Sequence, residues 1–201
     1  SEYMKCLANS GLRPHEALLL KWNDIELKKK TVEDNSEGKK RDYWGVIIQV
    51  SPSTKTGRRT VICPAGVYFK RVHKLYSDAG FKPTGSDYIF RNIGTKHSKA
   101  DNHFGEALTS GFLRKLWYEL VESFKDSDKG YEFLKNYTVY SCRSFFINQR
   151  LELGIPPSVV GELVGHTLAT MEKFYKNLQI RNMEPELMKV KRRRLEESEF
   201  L

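Results

Sequence analysis

Between residues 140 and 176 the chain is cut by its own turn residues into three short helices, and no other stretch restricts the fold as tightly. A helical pattern from about Cys142 to Leu153 runs into Gly154, which ends it. Pro156-Pro157 suits only the first turn of a new helix, so the next one covers Ser158 to Val164 and stops at Gly165. Thr167 is placed to cap a third helix from Ala169 to Tyr175.

The rest of the chain follows the same logic of stops and periods. Tyr3 to Ala8 reads as a helix broken by Ser10-Gly11, and Pro14 sits in the first turn of the next. From Glu16 the helical face continues through Ala17, Leu19, Leu20 and Trp22, and residues 22–25 lead out into a strand or turn. Residues 28–42 are charged and read as an exposed hairpin or loop. The strand formers of 43–50 and of Thr60 to Cys63 flank a polar turn with Lys55 at or near its tip, which makes an antiparallel hairpin. Residues 66–79 suggest a helix closed by Gly80, and Tyr88 to Phe90 a short strand. Ser110 is placed to cap a helix over about 112–124. A last amphipathic helix is expected at 185–197, with Lys189, Lys191 and Arg192 to Arg194 on its polar face. The fold class is mainly α with a small antiparallel β-sheet, an α+β arrangement.

Composition narrows the partners. Thirty-four Lys and Arg against 25 Asp and Glu give a net charge of +9, which favours a polyanion without choosing among DNA, RNA and membrane. No apolar run approaches the roughly 20 residues of a membrane-spanning helix, and no secretory signal opens the chain. Cys6, Cys63 and Cys142 are odd in number and widely spaced, so they suit neither a disulfide framework nor a metal site. They read as reduced and mostly buried. The five histidines are scattered, and neither a Walker loop nor a G-x-S-x-G elbow is present. What stands out is Arg13 between Leu12 and Pro14, Arg143 at a helix start, and His166 after Gly165. Helix starts and tight turns gather anions, and two arginines can clamp one phosphate.

These segments carry a resemblance. GLRPHEALLLKWNDI (11–25) resembles the first arginine motif of the tyrosine recombinase, or phage integrase, family. STKTGRRTVICP (53–64) resembles that family's lysine hairpin. YSCRSFFINQRLELGIPPSVVGELVGHTLATMEKFY (140–175) resembles the block holding the second arginine, the late His or Trp, and the nucleophilic tyrosine. Arg143 and His166 lie 23 residues apart, and His166 and Tyr175 nine apart, as is usual in the family. The resemblance covers about residues 1–180, with little from 81 to 139.

The resemblance implies a site-specific DNA recombinase or integrase, serving a phage or other mobile element. Tyr175 would attack a phosphodiester, forming a 3′-phosphotyrosyl link without cofactor or metal. Arg13 and Arg143 would neutralise the non-bridging oxygens, Lys55 would protonate the leaving 5′-oxygen, and His166 would hydrogen-bond the phosphate. Arg58 and Arg59 would contact the DNA backbone. Tyr140 stands where the family usually has a histidine, and it would buttress the phosphate or Arg143. This departure is also the best support for the alternative, a non-catalytic basic DNA-binding module with a degenerate site.

The implied partners are double-stranded DNA and three further copies in a homotetramer on paired sites, with room for a DNA-bending accessory protein and no membrane. The implied location is the cytoplasm of a bacterial or phage-infected cell. The implied organisation is a catalytic domain over 1–178 and a basic tail over 179–201 whose helix could dock on a neighbouring protomer. The family's upstream core-binding domain is absent from the chain as given, which opens abruptly inside a helix. Without the family, Glu16 reads as a support for Arg13 or for the first turn of its helix, and Trp22 and Phe145-Phe146 as packing.

Overall fold

Strand parity organises the sheet. Val46, Ile48 and Val50 alternate with more accessible neighbours along one strand, and Val61 and Cys63 do so along another, so one face is apolar and the other wet. In the computed structural model these belong to β2 (Lys39–Val50) and β3 (Arg59–Cys63), with β1 (Ile25–Asp34) on the far side of β2. The order is β1-β2-β3, antiparallel throughout, and the register sets Ile48 opposite Val61 and Val50 opposite Arg59. The structure describes residues 2–34, 39–52, 57–92, 106–125, 132, 134–174 and 176.

The helices are α1 (Glu2–Ser10), α2 (Pro14–Leu18), α3 (Gly66–Asp78), α4 (Ser110–Glu122), α5 (Ser141–Glu152), α6 (Pro157–Val164) and α7 (168–174). α1 packs on α5 and α3, α3 on β2, and α6 on both α5 and β3. Leu7, Leu12, Ile48, Phe69, Phe146, Ile147 and Met171 are fully enclosed between them. Each such side chain contributes about 1.5–3 kcal/mol of hydrophobic burial. Gly11 closes α1 at a φ of +67°, with the Phe146 ring lying where its Cβ would be. A left-handed turn under a ring leaves space for glycine alone.

Several expectations need correction. The helix entered at Pro14 ends at Leu18 instead of continuing through Trp22, because the next residues pair with another segment: Ile89 N–H donates to Leu20 O at 2.8 Å and Trp22 N–H to Asp87 O at 3.2 Å. Tyr88 to Phe90 forms no strand of its own; Tyr88 makes only an isolated bridge to Lys21. Thr109, not Ser110, caps α4, its hydroxyl accepting the Phe112 N–H at 3.2 Å. Phe146 is core, as expected, but Phe145 is 55% exposed. The charged stretch 28–42, by contrast, takes the hairpin form expected of it, β1 pairing antiparallel with β2 and Lys29 forming an ion pair with Asp42 across them at 2.7 Å. The tail from 177 onward, with its expected helix, lies outside the described residues. No helix among the described residues is long and apolar enough to cross a membrane.

Candidate active site

The site is built on the carboxyl end of α6. Gly165 takes a φ of +66°, which ends the helix and leaves its last carbonyls without helical partners. Three arginines arrive there. Arg59 Nε donates to Leu163 O at 2.9 Å, Arg143 Nη2 donates to Val164 O, and Arg13 Nη2 stands 3.5 Å from Gly165 O. Three successive carbonyls thus meet guanidiniums from three distant segments. The negative end of the helix dipole offsets their mutual repulsion.

Glu16 holds the group from the other side. Its side chain is 2% exposed and accepts from Arg13 Nη1 at 2.9 Å, from Arg13 N–H at 2.9 Å, and from Arg59 Nη1 and Nη2 at 3.0 and 2.6 Å. The same contact with Arg13 N–H closes a capping box at the start of α2, so one carboxylate serves both helix and site. Burial alone would raise the Glu16 carboxyl, but hydrogen bonds from Arg59 and Arg13 bring it to about 2. Removing one partner from such a buried pair costs about 3–5 kcal/mol, because the other charge is stranded.

Arg143 is the most enclosed of the three, at 1% exposure. Its Nη1 donates to Gly11 O at 2.6 Å, while its Nε is buried with no partner among the described residues. Burial, then the charge of Arg13, lowers it to about 10, which still leaves it cationic at neutral pH. His166 follows Gly165, its backbone N–H donating to Gly161 O at 2.9 Å. Its ring stacks near Phe174 of α7, 6.2 Å away at 23°, and its Nδ1 is buried and unpartnered among the described residues. Burial, then Arg143, Arg13 and Arg59, lowers His166 to about 4, so the imidazole is neutral at pH 7. Among the described residues, three guanidiniums gathered around one carboxylate, beside a neutral imidazole and the Arg143 Nε donor, make a site for an oxyanion.

No protein-family model matches the chain, and no curated protein matches it. Solved structures do. The Tn1549 transposon integrase in complex with transposon right-end DNA aligns with a TM-score of 0.54 at 20% identity, over 92% of this chain and 57% of that one. XerA recombinase aligns at 0.56 and 18% identity, over 95% and 58%. XerH site-specific recombinase, bound to its difH substrate before cleavage, aligns at 0.55 and 18% identity, over 91% and 44%. The chain has the catalytic-domain fold of the tyrosine recombinases. It spans under two thirds of each of these chains.

Within this tyrosine recombinase fold, Arg13, Arg143 and His166 stand together as one group. Lys55 and Tyr175 lie outside the described residues. Tyr140 precedes α5, where its carbonyl accepts the Arg143 N–H at 3.0 Å. It is 46% exposed, and its hydroxyl makes no hydrogen bond among the described residues. Arg58 and Arg59 were expected together on the DNA backbone, and the fold separates them. Arg58 is exposed, whereas Arg59 shares the inward face of β3 with Val61 and Cys63 and points at Glu16. The sequence carried that signal, since Arg59, Val61 and Cys63 alternate at period two. Glu16, three residues after Arg13, was legible as a support for Arg13 or for the first turn, and it is both, but not as the hub of two arginines.

Proposed function

We propose that the chain is the catalytic domain of a site-specific DNA recombinase or integrase, of a phage or other mobile element, that breaks and rejoins strands through a 3′-phosphotyrosyl intermediate on Tyr175. The observation that carries this reading is the convergence of Arg13, Arg59 and Arg143 on the three carbonyls that precede His166. Such a cluster suits a phosphodiester whose charge grows on the way to a pentavalent transition state. The name of the transposon integrase among the structural neighbours supports the mobile-element part.

In this mechanism the Tyr175 oxygen bonds to the scissile phosphorus as its phenol gives up its proton to solvent, and the bond to the 5′-oxygen breaks. Lys55 protonates the departing 5′-oxygen, which leaves as the 5′-hydroxyl. Arg13 and Arg143 hold the non-bridging oxygens, and His166, being neutral, offers an N–H without adding to the crowded positive charge. A second strand's 5′-hydroxyl then attacks the phosphotyrosine and regenerates the phenol. The energy of the broken bond stays in the intermediate, so cleavage is expected in excess chelator and without nucleotide. Double-stranded DNA is the substrate in this reading, and a tetramer on paired sites is the working assembly.

The test is a suicide DNA substrate whose short downstream fragment, bearing the freed 5′-hydroxyl, diffuses away after cleavage and so traps the adduct. Peptide mapping should place the DNA on Tyr175, and Tyr175→Phe should abolish the adduct while DNA binding stays within a few fold. An adduct on another tyrosine would overturn the assignment of Tyr175, and no adduct with DNA bound would return the chain to the non-catalytic DNA-binding reading.

A further inference from the structure

The mechanism above gives Arg59 no task, yet it is one of the best-held side chains in the site. It is 8% exposed, and it meets both oxygens of Glu16 while its Nε is fixed on Leu163 O at 2.9 Å. Glu16 also reaches Arg13, through Nη1 and the backbone N–H. One carboxylate is therefore shared between arginines on two different elements, α2 and β3. A carboxylate with a single arginine as neighbour tends to close a two-toothed pair, which cancels that arginine's charge toward anything else. Sharing changes this outcome.

We propose that Arg59 is a positioning residue for Arg13: by gripping both Glu16 oxygens, it keeps that carboxylate from turning fully onto Arg13 and preserves the positive field Arg13 presents to an oxyanion. The proposal rests on the strand-transfer reading only for the identity of that oxyanion. Burial pushes Glu16 up, and the Arg59 hydrogen bond is the foremost influence bringing it down. Arg59 and Arg13 together keep the carboxylate ionised, and the two contacts from Arg59 to its oxygens draw it toward β3. Leu163 O supplies the fixed point, since Arg59 cannot follow Glu16 toward Arg13 without leaving the end of α6.

The experiment compares Arg59→Met, Arg59→Lys, Glu16→Gln and the double variant Arg59→Met/Glu16→Gln. The probe is inorganic sulfate, titrated by calorimetry, with melting curves on the same samples. Arg59→Met should weaken sulfate binding about tenfold, the worth of one charge-assisted contact redirected from the anion. The double variant should return to within about threefold of the parent even where its melting temperature stays low, because an amide cannot neutralise Arg13. Arg59→Lys should fall between the parent and Arg59→Met.

A role in stability alone predicts a different order, with sulfate affinity tracking the melting temperature and no recovery in the double variant. That order overturns the proposal, as does unchanged binding in Arg59→Met or no sulfate binding by any of the proteins. If Arg59→Met fails to fold, Arg59→Lys against Arg59→Lys/Glu16→Gln makes the same comparison. Should the expected sulfate pattern appear while suicide DNA gives no adduct on Tyr175, the strand-transfer reading fails and the role of Arg59 stands.

Discussion

The Arg143 guanidinium donates to the Gly11 carbonyl at 2.6 Å, joining residues 132 apart in sequence. Gly11 lies two residues before Arg13, so the turn that orients Arg13 is pinned by Arg143. Neither arginine is placed independently of the other.

Gly11→Ala should therefore disturb chemistry as well as stability. The substitution forces an ordinary residue to a φ of +67° and sets a methyl against the Phe146 ring. The left-handed backbone costs about 1 kcal/mol and overpacking about 1–3 kcal/mol. Thermal melting should show a loss of this size. The covalent adduct should fall further than the unfolded fraction explains, because the Arg143 acceptor moves with the turn. An adduct yield that tracks only the folded fraction would show the turn to be a stability element alone.

Arg143→Lys keeps a positive charge but loses the planar fork that serves Gly11 O and Val164 O together. A buried carbonyl left without its donor costs about 1–3 kcal/mol. Single-turnover cleavage should drop by at least about a hundredfold, as expected for a donor acting on transition-state charge. DNA binding should change by only a few fold. Equal losses in both would make Arg143 a binding residue.

Tyr140 separates packing from chemistry cleanly. Its ring is 46% exposed, so Tyr140→Phe should alter stability by no more than about 0.5 kcal/mol. If the hydroxyl meets the phosphate in the DNA complex, cleavage should slow by about 10 to 100-fold, matching a charge-assisted hydrogen bond of about 1.5–3 kcal/mol. Cleavage by Tyr140→Phe at the parent's rate would remove the phenol from the mechanism.

Acid should weaken the fold through two groups with the same sign. His166 is lowered to about 4 in the folded chain, against about 6.5 when unfolded. Between those values the unfolded chain binds more protons, so stability is complete above about pH 6.5 and declines as pH falls toward 4. Glu16, lowered to about 2, adds a second decline that begins near its unfolded value of about 4.3. Melting temperature should be flat near neutrality and fall in these two stages. His166→Asn should remove the first stage. Cleavage should show no limb belonging to His166 between about pH 6 and 8.

The helices of the last third were legible because their ends are written in glycine and proline. α5 and α6 lie within a residue or so of where Gly154, Pro157 and Gly165 put them. α2 was overextended because apolar residues at Leu19 and Leu20 satisfy a helix and an extended pairing equally, and only the remote Ile89 decides between them. The grouping of Arg13, Arg143 and His166 came from motif order. The place of Arg59 did not, since a basic residue beside a polar turn looks solvated until strand parity turns it inward. Glu16 was undervalued because its partners include one 43 residues away.

The short helix α6 has a consequence for how such a site can be tuned. Because Leu163, Val164 and Gly165 each receive a different arginine, their carbonyls act as a common datum for all three cations. Lengthening the loop before Pro157 leaves that datum intact. Inserting one residue between Pro157 and Val164 rotates the carbonyls by about 100° and breaks all three alignments together. The three cations are thus positioned as a set, and any shift of α6 along its axis would displace all three of their acceptors in a single motion.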